Sequence, residues 1–134
     1  MYGAILGDII GSPFEFDRGD KTKEFDLFTK GCDFTDDSVM TIAVGEALLA
    51  VGPQATIKEI EEAVVTNMQD WGKRYPYAGY GGRFRYWLRE SNPKPYGSYG
   101  NGSAMRVSAV GWLYDSLART REVARATANV THNH

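Results

Sequence analysis

From Met40 to Val51 the apolar residues return at helical spacing: Met40, Ala43, Val44, Ala47, Leu48 and Val51. That spacing predicts a helix with one broad apolar face, and the pair Gly52–Pro53 predicts where it stops. The pattern recurs at Ile57, Ile60, Val64, Met68 and Trp71, with Thr56 placed as a cap. Phe84, Trp87 and Leu88 form a shorter stripe. Val107, Val110, Tyr114 and Leu117 predict another helix, and Glu122 to Val130 is alanine-rich and helix-favouring. No stretch alternates apolar and polar residues between turn signals, as a half-buried strand would. The expected fold class is all-α, one domain over residues 1–134, with functional loops between helices.

The formal net charge of −2 gives no broad basic surface, which argues against nucleic acid and against a polybasic membrane anchor. Cys32 is the only cysteine, so no intrachain disulfide forms, and a cytoplasmic protein is expected. The opening "MYGAILGDIIGSPFEF" lacks a basic start, holds Asp8 in its middle and meets Pro13 early; it reads as neither a signal peptide nor a membrane span.

In that opening stretch Gly3, Gly7, Gly11 and Glu15 lie four apart, on one face of any helix there. Either another helix packs closely on this stripe, or a ligand approaches it. Pro13 predicts that Glu15 sits on a bend or loop rather than in the helix. Glycines cluster again in "YAGYGGRF" and "PYGSYGNGSAMR". Such clusters serve tight turns or close backbone approach to a ligand.

"DFTDDSVMT" sets Asp36 and Asp37 side by side at the mouth of the helix that follows. Thr35 or Asp36 can cap that helix, and Asp37 suits its positive end. Capping explains one carboxylate better than two, because adjacent carboxylates repel more strongly as water is removed. A hard divalent cation bound by carboxylate and hydroxyl oxygens would resolve the conflict. Both readings stand on residue types alone.

"GAILGDIIGSPFEF", "FTDDSVMT", "GNGSAMR" and "THNH" occur in the order and approximate spacing of the ADP-ribosylglycohydrolase family, which includes the dinitrogenase reductase-activating glycohydrolase. The chain resembles that family over nearly its whole length. The resemblance implies an all-helical fold around a binuclear Mg²⁺ site, and cleavage of the glycosidic bond between ADP-ribose and an acceptor. It places Thr35, Asp36 and Asp37 on the first metal-ligand motif. Glu15 falls on the acidic residue after the glycine-rich helix, a base or a guard of the metal site. Asn101, Gly102, Ser103 and Met105 fall on the loop that holds ribose and diphosphate, and His132 on the histidine near the phosphates. Ser38 replaces a threonine frequent in the family and keeps its hydroxyl.

Family members are about twice this length, and their second metal motif, Asp-x-Asp followed by Thr or Ser, has no counterpart here. The chain is therefore expected to be the N-terminal half of such an enzyme, truncated or split. It is expected to pair with itself or with a complementary C-terminal polypeptide, leaving helix faces such as Met40, Val44 and Leu48 or Ile60, Val64 and Met68 uncovered when alone. The rival reading is a catalytically inactive helical domain that binds ADP-ribose or serves assembly. His134 reads as a solvated tail residue, Arg106 as a phosphate contact or a partner of a carboxylate, and most of the aromatic run from Tyr75 to Trp87 as core.

Overall fold

Gly52 ends the first long helix with a φ of +78°, a conformation open to glycine. The computed structural model describes residues 1–16 and 22–134. Its helices are α1 (Tyr2–Gly11), α2 (Asp36–Val51), α3 (Ile57–Arg74), α4 (Gly82–Trp87), α5 (Gly102–Met105), α6 (Val110–Leu113) and α7 (Leu117–Asn129), with a 3-10 turn at Ser12–Phe14 after α1. No strand occurs among the described residues, so the fold is all-helical.

The centre is the hairpin of α2 and α3, with α7 packed against α3 and α1 against α2. Thr56 opens α3 with a reciprocal cap: its hydroxyl accepts from the Glu59 N–H while the Glu59 carboxylate accepts from the Thr56 N–H. Met40, Val44 and Leu48 meet Ile60, Val64 and Met68 in one buried cluster that also takes Trp87, Val110 and Val123.

That packing corrects one expectation. The faces expected to lie bare in a lone chain are fully buried, with Met40, Val44, Ile60, Val64 and Met68 at 0% exposure. The two hydrophobic stripes cover each other, because a five-residue link folds α3 back along α2. The bare apolar surface lies elsewhere: α1 has no buried residue, and Tyr2 is 86% exposed. Nothing among the described residues would meet a Cβ at Gly3, Gly7 or Gly11, so the glycine stripe is not a helix-packing seam within them.

The stripe Val107–Leu117 is a second correction. It is not one helix. Tyr114 is extended, and Ser116 caps a new helix by accepting from the Arg119 N–H. The turn residues Asp115 and Ser116 outweigh the apolar spacing.

Candidate functional site

The mouth of α2 is built around a residue that motif reading passed over. Asp8, from the middle of α1, accepts the Thr35 hydroxyl at 2.6 Å, the Thr35 N–H at 2.8 Å and the Ser38 N–H at 3.1 Å. Thr35 in turn caps α2, its hydroxyl oxygen accepting from the Asp37 N–H at 3.3 Å. The capping alternative therefore holds for Thr35, and it leaves the Asp36 and Asp37 carboxylates free of capping duty. The signal for Asp8 was present: one charge within an apolar, glycine-rich helix.

Burial raises the Asp36 carboxyl to about 6, helped by the neighbouring Asp37 and, more weakly, by Glu15 and Asp8. Asp37 is raised by burial, then by Asp8 and Glu15. Glu15 follows the 3-10 turn in extended backbone, outside α1 as Pro13 predicts. Its charge acts on both aspartates. Gly79, at φ +102°, brings the backbone close over Asp36: a Cβ there would stand 3.4 Å from Asp36 Oδ1. Tyr80 lies behind it, its hydroxyl buried without a partner among the described residues and its ionisation pushed up to about 12 by burial and then by Asp36. These four carboxylates repel one another, yet among the described residues no three His, Cys, Asp or Glu side chains converge closely enough to hold an ion. The two observations are compatible, because repulsion reaches farther than coordination.

A cavity of about 320 Å³ opens beside this cluster. Asp36 lies on its wall together with Asn101, Gly102, Met105 and His132. Thr35, Asp37, Glu15 and Ser103 lie outside the wall. Arg83, Phe84, Tyr96 and Arg106 also line it, with the Arg83 guanidinium 4.7 Å from the Tyr96 ring centre. Arg83 and Tyr96 stand inside the two glycine clusters, but neither was singled out there as a site residue.

The glycine-rich loop on the other wall is braced by residues 131–134. The Thr131 carbonyl accepts from the Ser98 N–H at 3.0 Å, and Asn133 Oδ1 accepts from the Gly97 N–H at 2.9 Å. His134 Nε2 meets the Ser98 carbonyl at 2.7 Å while its ring stacks on Tyr99. His134 is exposed, as expected, and yet takes part in the brace. Arg106 is almost fully buried and makes no ion pair among the described residues; its Nη2 donates to the Thr127 carbonyl and the Thr131 hydroxyl. Of the aromatic run, Tyr80 and Trp87 are core, whereas Tyr77 and Tyr86 face solvent.

The ADP-ribosylglycohydrolase family model matches residues 1–134. The chain belongs to the ADP-ribosylglycohydrolase family. It is similar to the ADP-ribosylhydrolase ARH3 of Homo sapiens, 32% identical over 161 aligned positions that take in 98% of this chain and 43% of the relative. The ARH3 proteins of Mus musculus (29% identical, 98% of this chain, 42% of the relative) and Bos taurus (30%, 98% and 43%) are similar to it over the same extent. The chain thus spans less than half the length of these ADP-ribosylglycohydrolase relatives. No helix of the described residues is long and apolar enough to cross a membrane.

Proposed function

We propose that this chain forms one wall of a Mg²⁺-dependent hydrolase site that cleaves the glycosidic bond between ADP-ribose and an acceptor. One observation carries the reading: Asp36 shares a single cavity with Asn101, Gly102, Met105 and His132. The loop from Tyr96 to Gly102 would hold the diphosphate and ribose. Asp36 would face the ribosyl end, and Ser103 would support the loop from behind.

The donor set fits a divalent cation. Asp36 and Asp37 are adjacent and partly desolvated, the charge of Asp37 opposes ionisation of Asp36, and their oxygens are hard. With the Thr35 hydroxyl they would hold Mg²⁺, which when bound supplies charge stabilisation and lowers the pKa of water. The family's second ion would take its ligands from a complementary polypeptide or a second copy. Cleavage builds positive charge on the ribose carbon. Ionised Asp36 and Asp37 favour that charge, and Glu15, outside the cavity wall but within electrostatic reach of both, would take a proton from the attacking water. The lone cysteine is consistent with a cytoplasmic setting.

A second reading, an ADP-ribose-binding or assembly module without catalysis, draws on the absence of a three-residue metal cluster among the described residues. Both readings are tested by titrating ADP-ribose into the ¹⁵N-labelled chain, then assaying ADP-ribose release with and without a polypeptide carrying Asp-x-Asp-Thr. Shifts at Asn101 and Gly102 with Mg²⁺-dependent release in the mixture support the hydrolase. Shifts with no release support the binding module, and no shifts overturn the hydrolase and the binding module alike and leave only an assembly role.

A further inference from the structure

A chain of hydrogen bonds runs from the buried cation Arg106, itself at the cavity wall, to the glycine-rich loop. Arg106 Nη2 donates to Thr131 Oγ1 at 2.8 Å, Thr131 Oγ1 meets His132 Nδ1 at 2.7 Å, and His132 Nε2 meets the Gly100 carbonyl at 3.0 Å. The direction of every bond follows from chemistry. A guanidinium only donates, so the Thr131 oxygen accepts from Arg106. A carbonyl only accepts, so His132 Nε2 carries the proton. In a neutral ring Nδ1 is then the acceptor, and the Thr131 hydroxyl hydrogen fills it.

We propose that Thr131 is a positioning residue of the site: through this relay it fixes His132 as the Nε2–H tautomer, and His132 in turn pins the Gly100–Asn101 peptide on the cavity wall. The peptide unit is planar and trans, so holding the Gly100 carbonyl on the ring points the Asn101 N–H the opposite way. No group among the described residues accepts from that N–H. His132 thereby acts on the loop, its Nε2 already engaged, and the loop acts on the ligand. The consequence for ligand binding rests on the ADP-ribose reading of the cavity.

Thr131 has 0% exposure, so the relay is shielded from water at its centre. Burial holds His132 below the ordinary imidazole value; the bond to Gly100 opposes this, and Arg106 and His134 add to it. Arg106 itself is pushed down to about 10 by burial, with Tyr96 opposing, and stays charged at neutral pH. An always-charged donor at one end and an obligatory acceptor at the other leave the relay one direction.

The test uses the ¹⁵N-labelled chain at a pH where His132 is neutral. Long-range ¹⁵N–¹H spectra should show His132 protonated at Nε2 alone; protonation at Nδ1, or a mixture of tautomers, overturns the relay without any variant. Thr131→Val keeps the volume and removes the hydroxyl, and should shift the Gly100 and Asn101 amides and weaken ADP-ribose binding by on the order of tenfold. Thr131→Ser should restore both. Unshifted loop amides in Thr131→Val with helix content unchanged, or a serine variant as impaired as valine, also overturn it. If the unmodified chain does not bind ADP-ribose, the binding proposal falls, while the tautomer and the loop amides still decide the relay.

Discussion

Asp8 holds Thr35 from two sides, accepting its hydroxyl at 2.6 Å on one carboxylate oxygen and its N–H at 2.8 Å on the other. An anion from α1 thus sits at the positive end of α2 and orients the residue that caps it. The first consequence is for stability. Asp8→Ala removes the acceptor of both Thr35 donors and of the Ser38 N–H, and should cost about 2 kcal/mol. Urea unfolding of the two proteins measures it, and a loss under about 0.5 kcal/mol, the scatter of ordinary surface changes, shows that the clamp is dispensable.

The carboxylates at the same helix mouth work the other way. Asp36 has its carboxyl raised from the ordinary carboxylate range to about 6, first by burial and then by Asp37. A folded value above the unfolded one means that folding favours the protonated form. The site is therefore least costly below the unfolded value and becomes destabilising as pH rises through about 6. In EDTA at neutral pH, Asp36→Asn should stabilise the chain by on the order of 1 kcal/mol, allowing for solvent screening of a partly exposed group. The gain should fade on acidification toward the unfolded value. Thermal melts across that range check the sign, and a destabilised Asn variant in EDTA rejects the account.

His132 gives the opposite pH dependence. Burial keeps the ring below its ordinary value, so the unfolded chain takes up the proton first as pH falls. Its contribution is full above the unfolded imidazole value and is lost as pH drops toward the folded one. The fall in melting temperature from pH 8 to pH 5 should be smaller in His132→Gln than in the unaltered chain. Taking the difference between the two proteins cancels the opposite trend of Asp36 and Asp37. Equal slopes dismiss a shifted His132.

These effects also mark what could be read from the sequence. Met40, Val44, Ile60 and Val64 announced their helices because burial requires periodic apolar residues, and their exposures of 0% confirm the faces. The partnering of those faces was not legible, since periodicity says that a face is buried and not what buries it. Tyr114 kept the helical spacing of Val107 and Val110 but not the helix, because the cap at Ser116 is a local bond that spacing does not record. Asp36, Asn101 and His132 were singled out through short motifs, and all three line one cavity. Asp8, Arg83 and Thr131 were not found. Asp8 reaches Thr35 across 27 positions and Thr131 takes its proton donor Arg106 across 25, and a residue type alone does not name such a partner.

The last prediction separates binding from chemistry. Glu15 lies outside the cavity wall, whereas Asn101 lies on it. Its charge nonetheless opposes the ionisation of both Asp36 and Asp37, which puts Glu15 within electrostatic reach of that pair. In the chain supplied with the complementary Asp-x-Asp-Thr polypeptide, Glu15→Gln should leave ADP-ribose affinity nearly unchanged. It should slow Mg²⁺-dependent release by roughly 10²–10⁴-fold, the usual contribution of a general base. Asn101→Ala should instead weaken binding before it slows the bound complex. Calorimetry gives the affinities and single-turnover release gives the rates. EDTA should stop release in the unaltered pair. A Glu15→Gln enzyme that turns over normally removes Glu15 from the chemistry and leaves it as a guard of the carboxylate cluster, and release that persists undiminished in EDTA would falsify the role assigned to Asp36 and Asp37.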